Sequence, residues 1–122
     1  MIIFINMASS RASARDAARF ADARQIMNAL QLFYQDNNGY PLPTTASTSG
    51  PTADDGTPAW STFLAAWPQA PQPNDGSCTA DENTYTYTQT NNASDFTLTF
   101  CLGKQVSNYS EGVHTASADG IQ

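Results

Sequence analysis

Charged side chains are scarce in this chain, at 13% of its 122 residues, about half the share usual in globular proteins. Uncharged polar residues replace them, a composition typical of secreted and cell-surface proteins. Residues 1–36 hold four arginines against three aspartates, whereas residues 37–122 hold one lysine against eight acids, a net charge of −7. Such an acidic region disfavours binding to nucleic acid. The aspartates interleaved among the arginines predict ion pairs within one helix.

Long apolar runs are also lacking. A membrane span needs about 20 consecutive apolar residues, and the apolar stretch at residues 1–5 is far shorter. It has neither the basic flank nor the cleavage site of a signal peptide. We interpret it as the end of a longer apolar helix.

Cysteine and histidine are too few for a zinc site, because Cys78 and Cys101 form no CxxC motif and His114 is the single histidine. A disulfide between the two cysteines is predicted, which implies an oxidising compartment. Two buried free thiols are the alternative.

Catalytic groups are equally sparse. The best candidate is His114 as a general base beside Ser110 or Asp119. A histidine on the surface or on an edge strand is the favoured interpretation, and no enzymatic activity is predicted.

Two Asx-Gly segments, 54–56 and 74–76, offer oxygen ligands that suit calcium, but neither matches an EF-hand and such pairs are ordinary in turns. No metal or other cofactor is therefore predicted, with calcium kept as an alternative. Asn92 and Asn108 begin N-glycosylation sequons, which chance also explains in so asparagine-rich a chain. Three tyrosines either form a ligand-stacking platform or cover a sheet face or subunit contact: Tyr85, Tyr87 and Tyr109.

Residues 1–38 are predicted to form one long helix. Apolar side chains recur at steps of three and four, and no proline or glycine interrupts the run before Gly39. Asn37 to Gly39, followed by Pro41, predict its end. At about 1.5 Å per residue the helix exceeds 50 Å, so its first half is expected to project from the rest of the domain. The residues predicted to pack against a sheet are Phe20, Met27, Leu30 and Tyr34.

The remaining chain predicts an α+β fold in a single domain. Residues 42–77 are rich in turn-forming residues and contain one predicted short helix, at about 58–67. Residues 84–122 predict an antiparallel sheet, with alternating strands at 84–90 and 95–102 and a hairpin loop between them. A short edge strand is expected near 113–116. Facing the helix are Phe96, Leu98 and Phe100, which leaves Cys101 on the outer face.

The segment from Ala14 to Pro41 resembles the second half of the long helix of bacterial type IV pilins and type II secretion pseudopilins. The matching pieces are an Ala-Arg-Asp start, an Asp-x-Arg-Gln-Ile core, an Ala-Leu-x-x-aromatic-Tyr run and a closing Asn-Gly-Tyr-Pro. Residues 96–102 and the last ten residues also look like C-terminal regions of pilin-like proteins.

The resemblance implies a lollipop-shaped fold, with a long helix packed on an antiparallel sheet and an αβ-loop at residues 42–77. It implies an extracellular or cell-surface filament, with self-association as the main interaction and the inner-membrane pilus assembly machinery as an earlier partner. It also implies a C-terminal disulfide loop, here from Cys78 to Cys101. Neither a nucleic acid nor a small-molecule substrate is expected.

The sequence departs from the family pattern at its start. The family's leader peptide, cleavage-site glycine, phenylalanine and early glutamate have no counterpart here. We therefore expect a chain truncated within the family's apolar helix, and membrane anchoring before assembly if the native protein carries the missing part. The predicted function is a structural pilus subunit. The alternatives are a type II secretion pseudopilin, which calcium binding would favour, or a minor adhesive or DNA-uptake subunit at a filament tip.

Overall fold

One long helix dominates the computed structural model, which describes residues 7–122. Helix α1 spans Met7–Asn37. It ends where Asn38 adopts the left-handed conformation, with φ of 57°, and the backbone N–H of Asn38 closes the last turn on the carbonyl of Tyr34 at 2.7 Å. The predicted stop is therefore confirmed, with Asn38 rather than Gly39 in the left-handed position. The part of the predicted helix before residue 7 lies outside the described residues.

The strands in residues 7–122 form a four-stranded antiparallel sheet in the order β1-β2-β3-β4. The strands are β1 (Thr86–Thr90), β2 (Asp95–Leu102), β3 (Gly112–Ser117) and β4 (Gly120–Ile121). The hairpin loop between β1 and β2 is confirmed, and Asn91, Asn92 and Ala93 all take positive φ there. The architecture is thus α+β, with one N-terminal helix packed on an antiparallel sheet.

The hydrophobic core lies between α1 and the inner face of the sheet. Leu98 faces Tyr87 across the β1–β2 ladder, and Phe100 faces His114 across the β2–β3 ladder. Small alanines on α1 let the helix lie close to the sheet, because they place no bulk between the two layers. The helix residues buried there are Ala23, Ile26, Ala29, Leu30 and Phe33.

Two predictions about the sheet are wrong in detail. The segment near 113–116 is not a short edge strand, because β3 has six residues and lies between β2 and β4. The first strand begins at Thr86 rather than at residue 84. Thr84 instead closes a turn, in which its hydroxyl donates to the carbonyl of Ala80 at 3.3 Å.

The predicted helix at about 58–67 is also wrong, since only a 3₁₀ turn at Trp60–Thr62 forms. A helix of about ten residues is marginal without tertiary support. Tertiary contacts here favour another path: Trp60 packs edge-on against Phe33, and the indole N–H of Trp67 donates to the carbonyl of Tyr85 at 3.1 Å. The segment therefore follows the core surface instead of coiling.

Part of the 42–77 segment covers the outer edge of β1. Ser47 and Tyr87 exchange backbone hydrogen bonds of 2.8 and 2.9 Å, and the N–H of Gln89 donates to the carbonyl of Pro43 at 2.8 Å. An uncovered strand edge invites pairing with other chains, so this cover protects β1 from aggregation.

The predicted disulfide joins Cys78 to Cys101. In the β2–β3 ladder Cys101 lies opposite Val113, which is half exposed, on the face turned away from Phe100. The bridge therefore ties the 71–78 loop to the outer face of the sheet.

Replacing both cysteines, as Cys78→Ala with Cys101→Ala, should lower the free energy of unfolding by about 3 kcal/mol, because a loop with 23 residues of separation gains chain entropy when unfolded. Urea unfolding of the variant measures this loss. The wild-type protein in excess dithiothreitol is the control and should lose the same amount. A loss below about 1 kcal/mol would mean that the bridge constrains little.

Candidate functional site

Residues 38–122, which follow α1 and contain the sheet, are called the head. Its junction with α1 is built around Arg19, whose side chain is fully buried. A guanidinium group has five N–H donors, and all five are used here. Nε donates to Asn83 Oδ1 at 2.8 Å, and Nη1 donates to Asp16 Oδ1 at 2.8 Å and to Asp75 Oδ2 at 2.7 Å. Nη2 donates to two backbone carbonyls, those of Pro71 at 2.9 Å and Pro73 at 2.8 Å.

Asp16, one helical turn before Arg19, completes the junction from the other side. Its Oδ1 accepts from the backbone N–H of Gly103 at 2.9 Å and its Oδ2 accepts from that of Lys104 at 3.0 Å. Asp16 is 0% exposed. The helix is thereby joined to the segment that directly follows β2.

Asp75 is held by two arginines at once. Arg15 donates two hydrogen bonds to it, from Nε to Oδ2 at 2.8 Å and from Nη2 to Oδ1 at 2.7 Å. Arg19 donates a third, from Nη1 to Oδ2. Bidentate pairing of this kind fixes orientation as well as distance. The hydrogen bonds from Arg15, with those from Arg19, lower the pKa of Asp75 from 3.8 to about 2.

The junction coincides with the disulfide. Asp75 and Cys78 lie in the loop that Arg19 binds, while Cys101 and Gly103 lie at the end of β2. The backbones of these two segments are in contact at Gly76 and Gly103, where an added Cβ at either glycine would collide with the other segment. One ionic cluster and one covalent bond therefore hold the same two segments together.

The sequence predicted ion pairs within the helix, and the pair from Arg19 to Asp16 confirms this. The prediction was incomplete, because Arg15 and Arg19 also bind Asp75, which lies in a distant loop. The buried face of α1 consequently starts at Asp16 rather than at about Phe20. The available signal was the placement of Arg15, Asp16 and Arg19 on one helix face at spacings of three and four.

The predicted packing residues lie on the expected side of the core. Leu30 is fully buried, whereas Phe20, Met27 and Tyr34 are partly buried and pack against its margin. The most buried side chains of the helix are those of Ala23, Ile26, Leu30 and Phe33. The buried face of α1 is therefore rotated slightly about the helix axis from the predicted face. On the sheet, the predicted residues are all buried: Phe96, Leu98 and Phe100.

His114 is buried at 7% exposure, not on the surface. Its Nδ1 is 2.8 Å from the backbone oxygen of Gln122, and its Nε2 is 2.6 Å from the backbone carbonyl of Ser110. Neither the Ser110 hydroxyl nor the Asp119 carboxylate forms a hydrogen bond or ion pair with the ring, which stacks on Phe100 at 5.6 Å between centroids. The arrangement joins β3 to Gln122 and to the segment before β3.

Two of the candidate calcium ligands, Asp55 and Asp75, are engaged within the protein. Both carboxylate oxygens of Asp75 accept from arginine, and Asp55 accepts from the backbone N–H of Leu42 at 2.9 Å. Among residues 7–122, no group of three or more histidine, cysteine or acidic side chains is placed to hold a metal ion.

The tyrosines do not form an exposed platform. Tyr85 and Tyr87 are buried, and their hydroxyls donate to Asp22 Oδ2 at 2.8 Å and to the carbonyl of Pro41 at 2.6 Å. Burial raises the pKa of both phenols. The sequon residues Asn92 and Asn108 are exposed on loops, and their glycosylation stays a prediction.

No helix in the part of the chain that the structure describes has the length and apolar character needed to cross a membrane. The sequence matches no protein-family model. Neither the curated proteins nor the solved structures include a significant match to this chain.

Arg19→Met should lower the free energy of unfolding by about 3–5 kcal/mol, because it leaves the buried Asp16 carboxylate without its cation. Arg24→Met is the matched control. Arg24 is exposed on the same helix, so its replacement should change stability by less than about 0.5 kcal/mol. Urea unfolding compares the two, and equal losses would contradict a special role for Arg19.

Acid should selectively remove the contribution of Asp75. The pKa of this group is lower in the folded state, at about 2, than its ordinary value of 3.8. Its ionisation therefore stabilises the fold above about pH 4, and this stabilisation disappears as the pH falls through about 2. The stability difference between wild type and Asp75→Asn, measured by urea unfolding at a series of pH values, should shrink over that interval. A difference that does not change with pH would contradict the prediction.

Proposed function

We propose that this chain is a structural subunit of a type IV pilus-like filament and assembles through its N-terminal helix. The observation that carries the proposal is that α1 is longer than the part of it that the head buries. Helix α1 is described from Met7 onward, yet of the side chains described, from residue 9 onward, none before Asp16 is buried. About 13 Å of helix therefore extends beyond the junction, at 1.5 Å per residue.

The composition of this extension supports a contact with other helices. It contains small residues that allow close helix approach, and in the sequence it is preceded by the apolar stretch at residues 1–5. The long side chain of Lys104 reaches back to it, donating from Nζ to Ser9 Oγ at 3.2 Å. The α+β layout and the resemblance over Ala14 to Pro41 agree with the proposal.

The remaining parts of the proposal follow from the filament. The acidic, threonine- and serine-rich head would face solvent at the cell surface, and the inner-membrane assembly machinery would handle the subunit before assembly. The pseudopilin alternative gains nothing from the site, because Asp75 is bound by arginines rather than free for calcium. The acidic head also counts against a tip subunit that takes up DNA, because it repels phosphate groups.

Antibodies raised against the chain should label thin filaments sheared from the source cells, and mass spectrometry of those filaments should recover peptides from residues 16–122. Deleting the gene is the control and should remove the labelling. Recovery of the chain in the cells with no labelled filaments would contradict the proposal.

A charge placed on the projecting helix should block assembly without unfolding the head. Ala14→Glu, on the exposed extension, should reduce the sheared filaments at least about tenfold, since its carboxylate would lose its hydration between packed helices. Ala80→Glu makes the same change on an exposed head turn and should assemble normally. Equal filament yields from the two variants would contradict a role for the extension.

A further inference from the structure

A groove runs between α1 and the edge strand β4, with a volume of about 340 Å³. Its lining includes three partly buried apolar or aromatic side chains, Met27, Tyr109 and Ile121. Polar side chains from the exposed face of the helix form the rim. These rim residues are Arg24, Asn28 and Gln31.

The cation at this rim is uncompensated. Within the described residues, Arg24 makes no ion pair or hydrogen bond, and its guanidinium carbon lies 5.7 Å from the centroid of the Phe20 ring. Arg15 and Arg19, by contrast, bind carboxylates. The groove thus combines partly buried apolar side chains with a positive charge that has no carboxylate partner among the described residues, which suits an apolar side chain next to a carboxylate.

A surface of that composition lies on the opposite edge of the head. Leu42 is 44% exposed, although it is a large apolar side chain. The turn at residues 52–55 is held beside it, because Leu42 accepts from the N–H of Thr52 at 2.8 Å and donates to Asp55 at 2.9 Å. Asp54, in the middle of this turn, is exposed and has no hydrogen bond or ion pair among the described residues.

We propose that the Arg24 groove of one copy receives Leu42 and Asp54 of a second copy. The proposal rests on the filament function and adds a lateral contact between heads. The groove borders β4, whereas residues 43–47 run along the outer edge of β1, so the two surfaces lie at opposite edges of the sheet. When the groove of one copy binds the Leu42–Asp54 surface of another, the pair still has one unoccupied groove and one unoccupied Leu42–Asp54 surface. Further copies can bind at both, and repetition of the contact builds an open helical assembly.

Charge explains why the partner is oriented in this way. Residues 37–122 carry a net charge of −7, so two heads repel each other in most orientations. Arg24 offers one place where an acidic turn is attracted instead. Electrostatic complementarity of this kind sets orientation and excludes wrong pairings.

Charge reversal tests the contact in the 122-residue chain, through its self-association measured by analytical ultracentrifugation. Arg24→Glu and Asp54→Arg should each weaken self-association at least about tenfold. An equimolar mixture of the two variants should recover it, because every contact in an alternating chain then joins opposite charges. Both positions are exposed, so the melting temperatures of the variants should match that of the wild type.

Two further variants serve as controls for net charge. Gln25→Glu lies on an exposed helix position next to Arg24, and Asp81→Arg changes an exposed acid in another turn. Both should associate within about twofold of the wild type, because neither residue lies in the proposed contact.

Three results would overturn the contact. The first is a mixture no stronger than either variant alone. The second is loss of association in Arg24→Glu but not in Asp54→Arg, which would indicate groove-to-groove pairing. The third is a wild-type chain that stays monomeric at about 1 mM. Filaments labelled in cells without the mixing rescue would overturn the contact alone, whereas rescue without filaments would overturn the filament function alone.

Discussion

The buried guanidinium of Arg19 determines how the long helix sits on the head. Removing a charge from water is costly, and only a complete set of partners offsets that cost. Arg19 has this set, drawn from the helix itself, from the 71–75 loop and from Asn83. A helix rotated or shifted by one residue would leave several of these groups buried without partners. The cluster therefore fixes the register of α1 more strictly than apolar packing alone would.

The rest of the junction follows from that position. Asp16 reaches the backbone after β2, and Asp75 brings the second loop under the helix, next to the disulfide that joins the same two segments. Among the α1 side chains that the structure describes, from residue 9 onward, none before Asp16 is buried. The junction thus separates a part of the helix that is buried against the head from a part whose described side chains are not buried.

Local patterns in the sequence were enough to predict the main architecture. The three-four spacing along α1 and the alternation at residues 95–102 each place one apolar face, and Asn38 and the asparagine-rich hairpin provide the turns. Prediction failed where distant residues decide the outcome. Trp67 bonds to Tyr85 instead of continuing a helix, and Arg19 meets Asp75 from 56 positions away. In the sequence these arginines and Asp75 look like ordinary surface charges, since nothing local shows that they are buried.

Hydrogen exchange along α1, read by NMR in the isolated chain, tests the central claim that the head's hold on the helix begins at the Asp16–Arg19 junction. Amides from about Arg19 to Phe33 should exchange only through global unfolding, whereas those before Asp16 should exchange through local fraying, orders of magnitude faster. A boundary at Asp16 is the result that the account predicts. Equal protection along the whole helix, or a boundary well beyond Arg19, would contradict it.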